Sequence, residues 1–160
     1  MGSAESEPEI WRTDPVTLRD VLLDSVAIQE RLVECPPLER AWLLSLLGHD
    51  EEAIASGHRL LAEAPDRFRV LLVLAQAYQR NYQWHMAQLQ EEALRLAHSL
   101  SREALARHHI GRRLFNEARY GDAAHEFQWA GDLYRTNQRH RLAEASYQAM
   151  ERALEWDHMR

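Results

Sequence analysis

The chain has 160 residues and a formal net charge of −6, and all 19 of its basic side chains are arginine. That length suits one globular domain or a short repeat array. The acidic balance argues against nucleic-acid or membrane partners, and no apolar run approaches the roughly 18 residues of a membrane span. The first ten residues lack the pattern of a secretory signal, so we expect a cytoplasmic protein.

The first predicted elements are a flexible acidic arm over residues 1–13 and an N-terminal capping helix over 14–34. Asp14 resembles an N-cap residue, with Pro15 at the first helical position. The spacing of three and four residues predicts one buried helix face, made up of Leu18, Val21, Leu22, Ser25, Ile28 and Leu32. Two consecutive prolines after Cys35 end this helix, because they remove backbone donors.

Seven further amphipathic helices are predicted between proline, glycine and capping residues. They cover residues 38–47, 50–64, 66–81, 83–100, 101–118, the segment after the turn at Gly121 and Asp122, and 138–156. Ser101 is interpreted as the N-cap of the helix over 101–118. No alternating strand pattern is apparent, so the sequence predicts an all-α fold.

Residues 105–130 resemble the tetratricopeptide repeat family, in which small and aromatic residues recur at fixed steps. The matching residues are Ile110, Gly111, Tyr120, Ala123, Phe127 and Ala130. Two earlier units are similar, the first with Ala41, Leu44, Ala53, Ile54, Leu60 and Pro65, the second with Leu71, Leu74, Ala75, Tyr78, Trp84 and Ala87. The units depart from the family pattern at Pro37, Arg40 and Glu91.

The resemblance implies a right-handed superhelical array of about three helical hairpins over residues 36–136, capped by the helices at 14–34 and 138–156. Gly111 and Ala123 are expected to be small because the two helices of a hairpin cross closely there.

The resemblance also implies a peptide-binding groove lined by the first helix of each hairpin. The predicted groove residues are Trp42, Arg69, Leu72, Gln76, Gln79, Arg80, His108, Arg112, Phe115 and Asn116, on stripes that also carry Leu38, Ser45, Leu46, Leu105 and His109. We expect Trp42, Leu72 and Phe115 to hold apolar side chains, the amides to bond a peptide backbone, and Arg69, Arg80 and Arg112 to bind carboxylates. The lysine clamp of some family members has no counterpart here, because the chain has no lysine.

These patterns favour a non-enzymatic scaffold or adaptor that binds a peptide or protein segment, an acidic one included, without cofactor or metal. His108 and His109 are adjacent, so they point in different directions on a helix and are unsuited to chelation. Two alternatives remain open at this point. One is a homo-oligomeric structural module joined through Trp11, Trp42 or Trp156, and the other is a regulatory domain that binds an anionic ligand through the basic cluster between Arg107 and Arg113.

Overall fold

The computed structural model describes residues 9–79 and 83–159, apart from the side chain of Gln83, and this part of the chain is mostly helical. It forms a short antiparallel pair of strands, β1 (Trp11–Thr13) and β2 (Asp20–Leu22). Eight helices follow in the described residues: α1 (Ser25–Val33), α2 (Pro37–Leu46), α3 (Asp50–Glu63), α4 (Phe68–Ala77), α5 (Gln83–Arg95), α6 (Leu100–Asn116), α7 (Tyr120–Thr136) and α8 (His140–His158).

The N-terminal region differs from the prediction, because residues 11–22 form a hairpin where an arm and half of a helix were expected. We call this hairpin, Trp11–Leu22, the strap. Only α1 remains of the predicted helix over 14–34. The expected arm over 1–13 is wrong for Trp11–Thr13, which pair with Asp20–Leu22, and residues 1–8 lie outside the described part.

The turn of the strap uses the same hydrogen bonds that begin a helix. The Asp14 carboxylate accepts from the amides of Val16 (2.7 Å) and Thr17 (3.3 Å), as an N-cap side chain does, and these bonds lower the pKa of Asp14. Leu18 then adopts a left-handed backbone with φ of 54°, which stops helix propagation after one turn. The Asp14–Pro15 pattern therefore predicts the capping hydrogen bonds correctly. The long helix that it was expected to begin does not form, and α1 begins only at Ser25.

The remaining helices lie close to their predicted positions, with shifts at their ends. The N-cap of α6 is Ser99, whose Oγ accepts from the amide of Arg102, and not Ser101. Gly121 lies inside α7, and the preceding turn is made by Ala118, with φ of 61°. Helix α5 ends at Arg95, earlier than predicted, while α8 extends to His158.

Each helix from α2 to α8 packs against the next along the chain, and α2 also contacts α4. Glycines mark three of the closest crossings. A Cβ added at Gly57, Gly111 or Gly131 would lie 2.7 Å, 2.7 Å and 2.6 Å from side-chain atoms of Leu74, Phe127 and Tyr147, respectively. Ala53 and Ala123 are also almost fully buried, whereas Ala87 is only partly so. Close approach at Gly111, expected from the sequence, is confirmed.

Helix α8 does more than cover the end of the array. Ala143, Ala149 and Ala153 pack it inward, while Ala145 and Gln148 line a cavity together with α6. Among the described residues, no helix is both long and apolar enough to cross a membrane.

Candidate functional site

Side chains from α2, α4 and α6 meet around one open cavity of about 210 Å³, which we call the Trp42 cavity. It is lined by Asp20, Leu38, Trp42, Arg69, Leu72, Val73, Gln76, Leu105 and His109. Residues from all three predicted stripes are therefore brought together, because the corresponding faces of α2, α4 and α6 point toward a common surface. We call this surface, which continues onto α8, the inner face.

The Trp42 cavity combines apolar walls with polar groups at its edge. Leu72 is almost fully buried in its floor. Gln76 donates a 2.7 Å hydrogen bond to Gln79, which holds both amides in place. The exposed Arg69 makes no ion pair or hydrogen bond within the described residues. Such a cavity suits an apolar side chain next to a carboxylate, because guanidinium groups bind carboxylates strongly.

The strap occupies the neighbouring part of the inner face. Nε of Arg112 donates to the carbonyl oxygen of Leu18 at 2.8 Å, and Nη2 of Arg112 lies 3.1 Å from Oδ1 of Asp20. Arg19 donates to the side-chain oxygen of Asn116 at 3.3 Å. Arg112 and Asn116, both predicted to face a ligand, are therefore engaged by the chain's own N-terminal segment.

Two further contacts fix the ends of the strap. The indole rings of Trp11 and Trp42 meet edge to face with their centroids 4.6 Å apart. On the other side, Nε of Arg152 in α8 donates to the carbonyl oxygen of Val16 at 3.3 Å. The strap thus crosses the inner face from α2 to α8.

A second cavity, of about 230 Å³, lies between α6, α8 and the turn of the strap. We call it the His108 cavity, and its lining includes Leu18, His108, Arg112 and Gln148. The Nδ1 atom of His108 is hydrogen-bonded to Oγ of the fully buried Ser146 at 2.9 Å.

The histidines of the inner face are neutral at physiological pH. Both rings retain some accessible surface, but protein atoms surround them on most sides. This burial lowers the pKa of His108 and of His109 to about 3, and the positive charge of Arg112 is the second largest cause of the shift. Arg112 is therefore the charged group of α6 that faces the Asp20 carboxylate.

The other predicted groove residues have different surroundings. Phe115 is buried in the apolar cluster that also holds Leu18. The prediction that its ring holds a ligand side chain is therefore wrong, because the ring packs against side chains of the core. Gln79 lies beside the Trp42 cavity, in a smaller one shared with Asp50. Arg80 lies outside the described residues.

The residues of the two alternative hypotheses are mostly used internally. Arg107 pairs with Glu103 and Glu126 and stacks 3.2 Å from the centroid of Trp129. Arg113 donates to Gln90 and pairs with Glu117. The basic cluster thus already holds carboxylates of the chain.

The tryptophans proposed for self-assembly also have partners. Trp11 and Trp42 contact each other, and the ring of Trp156 stacks on Tyr120 with centroids 5.9 Å apart. Within the described residues these rings therefore pack against their own chain, although Trp11 keeps 37% of its surface exposed.

Sequence reasoning missed the roles of the strap residues Leu18 and Asp20 and of Arg152, the α8 residue that contacts the strap. Leu18 was assigned to a helix face, and its contact with Arg112 joins residues 94 positions apart. The signal that was present is the pair of strand-like triplets around the Asp14 turn, which is too short to be distinguished from a helix by periodicity.

Within the described residues, no group of three or more His, Cys, Asp or Glu side chains is placed to bind a metal ion. Comparisons with family models, with curated proteins and with solved structures found no match for the chain.

Proposed function

We propose that this protein is a non-enzymatic interaction module, an adaptor of tetratricopeptide type, that binds a peptide or protein segment on its inner face. The proposal includes the superhelical arrangement of hairpins and the cytoplasmic location expected from the sequence. The observation that carries it is the Trp42 cavity, where three separate helices contribute apolar, amide and guanidinium groups to one opening.

The size of the cavity supports a peptide anchor over a small-molecule substrate. Pockets that enclose drug-sized ligands usually measure roughly 300–1,000 Å³, whereas the Trp42 cavity measures about 210 Å³. That volume suits a single apolar side chain of a longer segment. Arg69 at the opening then supplies a charge-assisted hydrogen bond to a carboxylate on the same segment.

A peptide selection on the full chain tests the proposal. Random peptides displayed on phage would be selected on the immobilised protein, and the affinity of the best peptide would be measured by fluorescence anisotropy. We expect Arg69→Ala to weaken binding about tenfold or more, because a hydrogen bond to a charged group contributes about 1.5–3 kcal/mol. Trp42→Ala is expected to weaken it as well.

Arg141→Ala is the matched control, since Arg141 is an exposed arginine on α8 that does not line the Trp42 cavity. It removes the same charge and is expected to change the affinity less than twofold. Peptides that bind Arg69→Ala and Trp42→Ala as tightly as the unaltered chain would contradict the proposed site, and so would a selection that enriches no peptide.

A further inference from the structure

The strap touches the inner face in the manner of a bound peptide. Its contacts include two backbone carbonyl groups that accept from Arg112 and Arg152, one buried aliphatic side chain and one carboxylate that is largely buried. Leu18 is 5% exposed, and the side chains of Arg112 and Asp20 are 10% and 8% exposed. Extended peptides are commonly recognised by backbone hydrogen bonds for affinity and by side-chain pockets for specificity.

Beyond these contacts, the Arg19–Asn116 hydrogen bond and the Trp11–Trp42 ring contact, most of the strap is exposed to solvent. Among its residues, all of which the structure describes, Leu18 is buried as a whole residue and Asp20 through its side chain, while Trp11, Val16 and Leu22 keep 37%, 54% and 39% of their surface exposed. Leu18 also has a left-handed backbone, which a leucine adopts only at an energetic cost. A segment with few buried contacts and local strain belongs to the part of a protein that opens most readily.

The position of the strap gives its release a structural consequence. Asp20 lines the Trp42 cavity, and Leu18 lines the His108 cavity. Withdrawal of these two side chains would join the cavities into one groove across α4, α6 and α8. It would also leave the Arg112 guanidinium without its carboxylate, between two histidines that are neutral.

We propose that the surface under the strap is a binding site for a partner peptide in which an aliphatic side chain stands two positions before a carboxylate, and that strap and partner occupy it in turn, an assignment that rests on the proposed function. Leu18 and Asp20 supply that pattern within the chain. The strap lowers the apparent affinity for the partner, because only the molecules in which the strap has left the site can bind. The apparent association constant is the intrinsic one multiplied by the fraction of such molecules.

The test uses the full chain and two variants that loosen the strap without touching the surface below it, Asp20→Ala and Leu18→Ala. The probe is a fluorescein-labelled peptide with the sequence of residues 9–24, and binding is followed by anisotropy. We expect both variants to bind the probe at least about tenfold more tightly than the unaltered chain. Asp122→Ala, which removes an exposed aspartate paired with Arg119 on α7, is the matched control and should behave like the unaltered chain.

Two comparisons test the surface and the chemistry. In Asp20→Ala, adding Arg112→Ala is expected to weaken probe binding at least about tenfold. A short alanine and glycine peptide that keeps only the leucine and the aspartate two positions later is expected to compete with the probe, and the same peptide with alanine in place of the aspartate is not. Circular dichroism verifies that each variant is folded, and Leu18→Ala serves alone if Asp20→Ala is not.

Several outcomes would overturn the proposal. These are a folded loosened variant that does not bind the probe, binding that is insensitive to Arg112→Ala, and competition by the whole strap sequence but not by the short peptide. A concentration-dependent dimer of Asp20→Ala in sedimentation would instead identify a second copy of the chain as the occupant, and it would overturn the assignment to a separate partner.

Addition of Arg69→Ala separates this proposal from the proposed function. Arg69 lines the Trp42 cavity and has no hydrogen bond or ion pair with any residue of the strap, whose residues are all described, so the double variant Asp20→Ala with Arg69→Ala should keep its affinity for the probe. Probe binding with no Arg69-dependent peptide in the selection supports the site under the strap and rejects the Trp42 cavity. Arg69-dependent peptides without probe binding give the opposite result.

Discussion

We call helices α6, α7 and α8 the platform. The strap and the platform share one apolar cluster, but they are attached to it by different means. In the platform, Gly111 lets the ring of Phe127 in this cluster approach the neighbouring helix closely, and Gly131 does the same for the ring of Tyr147 in an adjacent cluster. The strap contributes one side chain to that cluster, Leu18, together with one ion pair. The contrast predicts that the strap opens at a lower free energy than the platform.

The largest effect is expected from a methyl group added inside the platform. Gly111→Ala should lower the free energy of unfolding by about 3 kcal/mol, the upper part of the range for overpacked cores. The new Cβ would lie 2.7 Å from Cε1 of Phe127, and this ring is fully buried, so it has no free space to move into. Urea denaturation measures the change.

Gly121→Ala is the control, because Gly121 lies in α7 and an added Cβ would find its nearest neighbour, an Asp157 oxygen, at 3.6 Å. Alanine favours the helix by up to about 1 kcal/mol relative to glycine. Stability should therefore stay the same or rise. Equal losses at Gly111 and Gly121 would show that close helix crossing does not define the platform.

The platform was largely predictable because its helices are encoded by the spacing of residues that are close together in the sequence. Spacings of three and four residues located α6, α7 and α8 to within a few residues, and the small residues Gly111 and Ala123 indicated where helices cross. The stripes of the inner face could also be read from helical periodicity, since residues on one face of a helix stay together whatever the helix packs against.

The strap was not predictable for the opposite reason. Its turn begins with an aspartate and a proline, which also begin helices, and one left-handed residue, Leu18, decides between the two. Its anchor joins Leu18 to Arg112, and no spacing rule links residues so far apart. For the same reason the burial of Phe115 and the engagement of Asn116 could not be read from their stripe.

The second largest effect is expected from the buried histidines of the platform. Because the pKa of His109 is lowered to about 3 in the folded state, the unfolded chain binds a proton first as the pH falls below about 6.5. Stability is therefore highest above pH 6.5, and between pH 6.5 and pH 5 the His109 ring lowers it by up to about 1.4 kcal/mol per pH unit, about 2 kcal/mol in all.

Comparison of two variants isolates this contribution from that of the carboxylates. His109→Gln should flatten the decline by about 2 kcal/mol between pH 6.5 and pH 5. His140→Gln, at an exposed histidine that begins α8, should leave the slope unchanged. Urea denaturation across this pH range gives both slopes, and parallel curves for all three proteins would show that the inner face does not keep His109 neutral.

A smaller effect on global stability is expected from releasing the strap. Asp20→Ala should lower the free energy of unfolding by about 1–2 kcal/mol, below the loss usual for a broken buried pair, because the strap can move away and let water reach Arg112. Hydrogen exchange should show lost protection in the paired strands, while α6, α7 and α8 stay protected. Uniform loss of protection would mean that strap and platform unfold as one unit.

The smallest effect is expected from removing a helix N-cap, once in the platform and once beside the strap. Ser99 caps α6 by accepting from the amide of Arg102 at 3.2 Å, and Asp24 caps α1, next to the strap, by accepting from the amide of Ala27 at 3.0 Å. Loss of a cap costs a helix about 1 kcal/mol. Ser99→Ala should lower the global free energy of unfolding by that amount and so lower the urea midpoint, because α6 belongs to the platform and packs against α7.

Asp24→Ala should leave that midpoint nearly unchanged and accelerate hydrogen exchange within α1, a nine-residue helix whose one buried residue is Ile28. Ser101→Ala is the control for α6, since the Oγ of Ser101 accepts from Asn137 and not from a helix amide. If Asp24→Ala shifted the midpoint as much as Ser99→Ala, α1 and the neighbouring strap would share the cooperativity of the platform. The strap would then be too firmly attached to give way to a partner.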